Sequence, residues 1–146
     1  MRLTTLMDSN IKSYAYKLLT KRDYFEKELI EKLKRKGFEE KDILKVIEDL
    51  KQQGLIDDEK LKERYKEIYI NKGKSYAKLK TKLYQKGVLD VEISEDEELQ
   101  AALNLLKKSF RKEKTYENVV KFLKNRGFRF VVIQKAAREF LKEDND

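Results

Sequence analysis

The heptapeptide KLKRKGF occupies residues 32–38, and two related heptapeptides follow it along the chain. KLYQKGV occupies residues 82–88, and FLKNRGF occupies residues 122–128. Each contains a leucine, a cation directly before a glycine, and an apolar residue directly after that glycine. This pattern is typical of a helix that ends at a left-handed glycine, with the next apolar residue packing on the last turn. The sequence therefore predicts three helices with equivalent ends.

Apolar residues upstream of each glycine share one helical face. They stand four and eight residues before it, a spacing that places both side chains on the same side of a helix. The pairs are Leu33 and Leu29 before Gly37, Leu83 and Leu79 before Gly87, and Leu123 and Val119 before Gly127. The apolar residues after the three glycines are Phe38, Val88 and Phe128.

The starts of these helices are marked less uniformly. Ser75 and Thr115 lie twelve residues before their glycines and predict N-caps. The first copy has Phe25 at this offset. We therefore expect Asp23 and Glu26 to form a capping pair two residues earlier.

Further helices flank each copy of the repeat. An amphipathic helix is predicted after the first and third glycines, through Ile43, Val46, Ile47 and Leu50, and through Ile133, Ala136, Ala137 and Phe140. The second copy keeps only Ile93 of this stripe, which predicts a short remnant helix at residues 91–93. The next stripe comprises Leu99, Ala102, Leu103, Leu106 and Phe110. Opening helices are predicted through Ala15, Leu18 and Leu19, and through Tyr65, Ile68 and Tyr69.

The predicted fold is all-α, with three-helix modules in tandem and a shortened third helix in the second module. We expect an N-terminal segment at residues 1–9, followed by modules at residues 10–54, 55–94 and 95–146. Repeated modules stack into a curved, elongated array that offers long surfaces.

The composition excludes several classes of chemistry. The chain of 146 residues has no cysteine and no histidine, which removes disulfides, thiolate and imidazole chemistry and nearly all zinc sites. Asp57 and Asp58 have no third ligand nearby, so we expect one of them to cap the helix from Glu59 onward. No enzyme, cofactor or metal site is expected. No signal-peptide core and no apolar run of roughly 20 residues is present, which predicts a cytoplasmic protein without membrane contact.

Positive charge is concentrated in two blocks of a chain whose net charge is +8. Residues 72–86 hold six lysines and no acid, residues 87–106 hold six acids and no base, and residues 107–129 hold nine cations and two acids. The cations predicted to bind nucleic acid or a filament are Lys72, Lys74, Lys78, Lys80, Lys82, Lys86, Arg111, Lys112, Lys114, Lys121, Lys124, Arg126 and Arg129.

Each of these features also has a plainer interpretation. Every fourth residue from Lys74 to Lys86 is lysine, a row that suits phosphates without reading bases, but it could also be a solvated face. Arg126 could complement the negative end of its helix. The cations of the first copy, Lys32, Lys34, Arg35 and Lys36, have Glu28 and Glu31 within helical reach, which favours ion pairs.

The aromatic and acidic residues of these blocks leave similar choices. Tyr76, Tyr84 and Tyr116 are candidates for stacking on unpaired bases, with core packing favoured for Tyr76. The acidic run at residues 95–98 follows Ser94 and predicts a capped helix start. The alternative for that run is a patch that faces a basic partner.

Two stretches resemble the RecX family of RecA recombinase regulators. They are ELIEKLKRKGFEEKDILKVIEDLKQQGLIDD at residues 28–58 and KGKSYAKLKTKLYQKGV at residues 72–88. The residues that carry the resemblance are Glu28, Leu29, Leu33, Gly37, Phe38, Leu50, Gly54, Leu55, Ile56, Asp57, Asp58, Gly73, Leu79, Leu83 and Gly87. The chain departs from the family pattern at Phe25, Lys62 and Tyr69, and in its shortened second module.

The resemblance implies a non-enzymatic regulator of recombination and DNA repair. Such proteins bind the RecA filament on single-stranded DNA and inhibit its ATP hydrolysis and strand exchange. They also bind DNA in the absence of RecA, with single-stranded DNA expected before double-stranded DNA, and without strong sequence preference. The alternatives are a general nucleic-acid-binding helical protein that acts without RecA, and a helical adaptor for an acidic protein.

Overall fold

The computed structural model describes residues 2–143, with side chains from residue 10 onward. Residue 1 and residues 144–146, the outer ends of two predicted segments, lie outside the described residues. Within these limits the chain is all-α and has no strand, which confirms the predicted fold class. The helices are α1 (Arg2–Lys21), α2 (Glu26–Lys36), α3 (Glu40–Gln52), α4 (Asp58–Lys72), α5 (Tyr76–Gln85), α6 (Glu95–Ser109), α7 (Tyr116–Asn125) and α8 (Phe130–Glu143).

The chain divides into two compact units. Unit 1 comprises Met1–Lys62 with Lys86–Val88, and unit 2 comprises Glu63–Gln85 with Leu89–Asp146. Unit 1 contains α1–α3 and the start of α4, while unit 2 contains the rest of α4 and α5–α8. The boundaries of the three modules stay a prediction.

The core of unit 1 lies among α1, α2 and α3, which pack on one another. All four apolar residues of the predicted α3 stripe are buried, and so are both leucines of α2. Burying a leucine or isoleucine stabilises the fold by about 1.5–3 kcal/mol. The core comprises Ile11, Ala15, Leu18, Tyr24, Leu29, Leu33, Ile43, Val46, Ile47, Leu50 and Ile56.

The core of unit 2 is built where α6 and α7 pack against α8. The predicted stripes of α6 and α8 are confirmed, with only Leu99 partly exposed. Phe110 contacts the rings of Phe122 and Phe140 edge-on at centroid distances of 5.4 and 5.6 Å, a geometry that aromatic pairs favour.

The three repeated glycines end their helices as predicted. Gly37, Gly87 and Gly127 have φ values of 106°, 85° and 85°, in the left-handed region. After the first and third, the backbone N–H of Phe38 and of Phe128 donates to the leucine carbonyl five residues earlier. These bonds satisfy carbonyls that the end of a helix leaves without partners.

The predicted capping pair of Asp23 and Glu26 is wrong, because α2 begins at Glu26 with Phe25 in the N-cap position. The Phe25 side chain is buried and has no acceptor. The backbone N–H of Phe25 donates to Glu28 Oε1 at 3.0 Å, and that of Glu26 donates to Asp58 Oδ1 at 2.9 Å. Glu28 within the helix and the distant Asp58 therefore supply the cap.

The predicted remnant helix near residues 91–93 is also wrong, since residues 88–94 are not helical. These residues therefore keep no remnant of the third helix of the second module. Val91 and Ile93 are nevertheless buried. The Tyr76 hydroxyl donates to the Val91 carbonyl at 2.9 Å, which satisfies a backbone group outside any helix.

The opening helix of the second copy exists as α4, but its predicted apolar face is wrong at Ile68, which is 40% exposed. The buried face instead begins with Leu61 and Lys62. Lys62 Nζ lies 3.1 Å from Glu59 Oε1, and the half-buried Lys66 pairs with Glu97 at 3.2 Å. Lysines whose charges are paired can share a buried face, and apolar periodicity does not reveal them.

Candidate nucleic-acid interface

Two clefts open on unit 2 and share a wall at the end of α7. The first, the α5–α7 cleft, has a volume of about 520 Å³ and is lined by Tyr69, Lys74, Ser75, Ala77, Lys78, Thr81, Lys82, Gln85, Asn125, Arg126 and Gly127. The second, the α6–α7 cleft, has a volume of about 280 Å³ and is lined by Ser109, Arg111, Lys112, Asn118, Lys121, Phe122, Asn125 and Arg126. Asn125 and Arg126 belong to both.

The linings of both clefts contain cations but no carboxylate. Together they hold Lys74, Lys78, Lys82, Arg111, Lys112, Lys121 and Arg126. Uncompensated positive charge on concave surface raises the local concentration of anions. The structure therefore brings cations from both predicted blocks to one continuous surface, and we call the two clefts together the cationic surface.

The start of α5 positions the lysines of the first cleft. Ser75 is buried, and its hydroxyl accepts a hydrogen bond from the backbone N–H of Lys78 at 3.3 Å. This confirms the predicted N-cap. A Cβ atom added at Gly127 would lie 3.4 Å from Ser75 Oγ, so the end of α7 and the start of α5 are in direct contact.

A buried carboxylate joins the starts of α5 and α8. Glu98 is fully buried. Its Oε2 accepts the backbone N–H of Tyr76 at 3.2 Å, and its Oε1 accepts that of Arg129 at 2.9 Å. Arg129 Nε completes the arrangement at 3.2 Å from Oε2. Each carboxylate oxygen thus faces donors at the positive end of a helix, where anions are stabilised.

Two of the predicted binding cations have structural partners instead. Lys86 Nζ lies 3.0 Å from Glu28 Oε2, and both side chains are largely buried. Arg129 pairs with Glu98 and also donates to the carbonyls of Ile93 and Ser94. Their charges are engaged in ion pairs within the fold, and their predicted contact with phosphate stays a prediction.

The arginines that line the clefts have backbone partners nearby. Arg126 stacks on the Phe122 ring at 3.6 Å from its centroid and donates to the Phe122 carbonyl at 3.0 Å. These contacts agree with the alternative interpretation of Arg126, in which its charge complements the negative end of α7. Arg111 donates to the carbonyls of Phe110 and Lys108, at the end of α6. Both guanidinium groups are held in place and retain further N–H donors.

The remaining predicted cations lie outside both cleft linings. Lys72 and Lys124 are exposed, Lys80 Nζ lies 5.9 Å from the Tyr76 ring, and Lys114 Nζ lies 5.1 Å from the Phe140 ring. Distances of this size suit cation–π contacts. They remain predicted binding residues outside the cationic surface.

The cations of the first copy differ from those of the clefts. Lys34 lies 3.7 Å from Glu40, Arg35 lies 3.9 Å from Glu31, and Lys36 Nζ lies 5.3 Å from the Tyr14 ring. These exposed pairs contribute little stability, but they compensate charge. Of the local ion pairs favoured by the sequence, the pair between Arg35 and Glu31 is present, whereas Glu28 pairs with Arg22 and Lys86.

The structure also shows where the three candidate tyrosines and the acidic run at residues 95–98 lie. Tyr76 is half-buried and bonded to Val91, while Tyr84 and Tyr116 are exposed. Ser94 and Glu97 form a reciprocal capping box at the start of α6. The Ser94 backbone N–H is the main reason that the pKa of Glu97 lies below its usual value.

Asp57 and Asp58 have separate roles as caps. Asp57 Oδ1 accepts the backbone N–H of Lys60 at 3.1 Å, so it caps α4 as expected. Asp58 caps α2 through Glu26, and burial raises the pKa of its carboxyl. Among the described residues no cluster of three metal-ligating side chains occurs.

Sequence reasoning missed the uncharged cleft residues and Glu98. Gln85, Asn125 and Thr81 line the α5–α7 cleft, yet each is a common surface residue with no local signal. The available signal for Glu98 was its position in the helical repeat. Glu98 stands three residues before Ala101 and four before Ala102, which are both fully buried, so it lies on the apolar side of α6.

Comparison with known proteins decides the family. The family model described as RecX, first three-helix domain, matches residues 12–50. The chain is 31% identical to the regulatory protein RecX of Legionella pneumophila (strain Corby), over 86% of this chain and 91% of the relative. The chain belongs to the RecX family. It is also 29% identical to the regulatory protein RecX of Acinetobacter baylyi, over 94% and 92% of the two chains.

Two solved RecX structures share this fold. The crystal structure of RecX from Lactobacillus salivarius matches with a TM-score of 0.76 and 20% identity, over 92% of this chain and 97% of that one. A crystal structure of regulatory protein RecX matches with a TM-score of 0.70 and 22% identity, over 89% and 72%. No helix within residues 2–143 has the length and apolar character needed to cross a membrane.

Proposed function

We propose that this RecX chain regulates homologous recombination and DNA repair by binding the RecA filament on single-stranded DNA. Binding would inhibit ATP hydrolysis and strand exchange by the filament. Family membership supports the regulatory role. The observation that carries the proposed contact is the cationic surface of unit 2, whose seven cations share two clefts without a carboxylate.

The chemistry of this surface suits a phosphate backbone. Lysine acts as a point charge on phosphate, and arginine offers a planar fork of donors. Neither arrangement reads a base by itself, so binding is expected to be largely independent of sequence. Nothing in this role calls for a cofactor or a catalytic residue, and we place it in the cytoplasm, where the filament forms.

The test is DNA-dependent ATP hydrolysis by a preassembled RecA filament while this chain is titrated in. Binding to bare single-stranded DNA is measured in parallel at two salt concentrations. The proposal predicts inhibition at protein concentrations too low to coat the DNA. Inhibition only at coating concentrations, lost with salt in step with DNA binding, would contradict recognition of the filament.

Charge reversal identifies the surface involved. We expect Lys78→Glu with Lys82→Glu to weaken filament inhibition more strongly than bare-DNA binding. The reason is that the two lysines would also orient this chain for its further contacts with the filament. Equal loss of both would instead favour a general nucleic-acid-binding protein that acts without RecA. Loss of neither would place the contact elsewhere on the chain and favour a protein partner.

A further inference from the structure

The α5–α7 cleft has the size and the mixed lining of a small-ligand site. Its volume of about 520 Å³ falls within the range of about 300–1,000 Å³ typical of such sites. Its walls combine three kinds of group: the cations Lys74, Lys78, Lys82 and Arg126, the amides of Gln85 and Asn125, and the ring of Tyr69. A phosphate backbone alone would need only the first kind.

We propose that this cleft holds one nucleotide, with its phosphate against Lys78, Lys82 and Arg126 and its base at the end formed by Tyr69 and Lys74. The nucleotide is either free or one unit of a single strand. The second source deepens the proposed function and rests on it, whereas the first does not depend on a filament.

The phosphate position follows from charge and from prearranged donors. Lys78 and Lys82 are exposed and form no ion pair with any residue of the described chain. Arg126 stacks on the Phe122 ring. Among the described residues, only one of its N–H groups has an acceptor, which is the Phe122 carbonyl. An anion can therefore bind without first displacing a carboxylate, and the guanidinium loses little freedom on binding it.

The base position follows from the other lining groups. Lys74 Nζ lies 4.8 Å from the centroid of the Tyr69 ring, which places a cation and an aromatic face together. Ala77 and Gly127 add apolar surface. The amide of Asn125, beside Arg126, can donate to and accept from base edges, and stacking accepts any base because every base has a π-face.

The cleft is preformed, which lowers the cost of binding. Its two walls touch where Gly127 faces Ser75, and the Ser75 hydroxyl is already committed to the start of α5. Glu98 fixes the backbone at Tyr76 and at Arg129, close to each wall. A duplex keeps its bases stacked and paired inside, so only an unpaired nucleotide can enter.

The first arm of the test uses free nucleotide and the full chain. Thymidine 5′-monophosphate and thymidine are titrated and followed by NMR chemical shifts. We expect the monophosphate to bind at least about tenfold more tightly than the nucleoside, and Lys78→Gln with Lys82→Gln to remove that advantage. The control variant, Lys34→Gln with Arg35→Gln, removes the same charge from ion-paired positions and should leave binding within about twofold.

The second arm uses a strand. A thymidylate hexamer is compared with a hexamer of abasic sites by fluorescence anisotropy at fixed salt. We expect the thymidylate hexamer to bind at least about fivefold more tightly, the effect of one stacked base. Tyr69→Leu should remove this difference, while Tyr16→Leu, at an exposed tyrosine of unit 1, should preserve it.

The two arms identify the source of the nucleotide. The expected result in the first arm assigns free nucleotide, and the expected result in the second assigns a strand. The proposal is overturned if the monophosphate binds no better than thymidine and the two hexamers bind equally. Failure of both arms together with intact filament inhibition would sink this inference alone, whereas base-dependent binding without filament inhibition would sink only the proposed function.

Discussion

The side chain of Glu98 accepts hydrogen bonds at the starts of two helices and pairs with an arginine. A buried carboxylate is tolerated only when donors surround it, and here both oxygens are used. The local sequence predicts an acidic helix start for residues 95–98 and places Glu98 among three solvated neighbours. Its burial depends on Tyr76 and Arg129, which lie 22 and 31 residues away, and single-helix patterns cannot supply such partners.

Removing this carboxylate should destabilise unit 2. We expect Glu98→Ala to lower the free energy of unfolding by about 3 kcal/mol, because two backbone donors lose their acceptor. Glu98→Gln keeps an acceptor and should cost less. The control is Glu95→Ala, which removes an exposed pair with Lys135 and should cost under about 0.5 kcal/mol. Urea denaturation measures all three, and equal costs at the two positions would contradict the capping role.

Asp58 and Glu97 predict pH dependences of opposite sign. Burial raises the pKa of Asp58, so its charge costs stability above the folded pKa. The Ser94 N–H lowers the pKa of Glu97, so its charge contributes stability that is lost as pH falls through the folded pKa.

Amide variants should reveal these two signs. From neutral pH to about pH 3, wild type should gain stability relative to Asp58→Asn and lose stability relative to Glu97→Gln. Both amides keep an acceptor for the backbone N–H. Denaturation curves at several pH values provide the measurement, and slopes of the same sign for both variants would refute the assignment.

At the scale of elements, the glycine helix ends were predictable, whereas the start of α2, the buried face of α4 and the structure of residues 88–94 were not. Gly37 and Gly127 end helices because the residues around them carry the whole signal locally. The start of α2 depends on Asp58 and the face of α4 on Glu97, so capping residue types predicted the wrong cap, and apolar periodicity wrongly predicted that Ile68 is buried. Residues 88–94 bury apolar side chains without a helix, an arrangement that periodicity does not indicate.

Two glycines distinguish backbone strain from close packing. Gly37 and Gly73 both have left-handed backbone, but a Cβ at Gly37 meets nothing within 4 Å, whereas one at Gly73 would lie 2.6 Å from Leu105 Cβ. We expect Gly37→Ala to cost about 1 kcal/mol and Gly73→Ala at least about 3 kcal/mol, because α6 must also shift. Thermal or urea denaturation compares them. Equal costs would show that conformation alone decides both positions.

At the scale of the whole molecule, the charge blocks of the sequence become one surface in unit 2. The sequence singled out Lys78, Lys82 and Lys121 as candidate binding cations from the excess of positive charge in their blocks, and the structure places all three in the cleft linings. The sequence could not separate them from Lys86 and Arg129, whose partners Glu28 and Glu98 lie 58 and 31 residues away. The fold therefore determines which cations remain available to bind phosphate.

The most direct measurement is the salt dependence of binding to a short single strand. Each lost phosphate contact should reduce the slope of log affinity against log salt by about 0.7, so Lys78→Gln with Lys82→Gln should reduce it by about 1.4. Lys34→Gln with Arg35→Gln, at positions paired with Glu40 and Glu31, should leave the slope unchanged. Equal slopes for wild type and both double variants would contradict the central claim that the cationic surface of unit 2 contacts the phosphates.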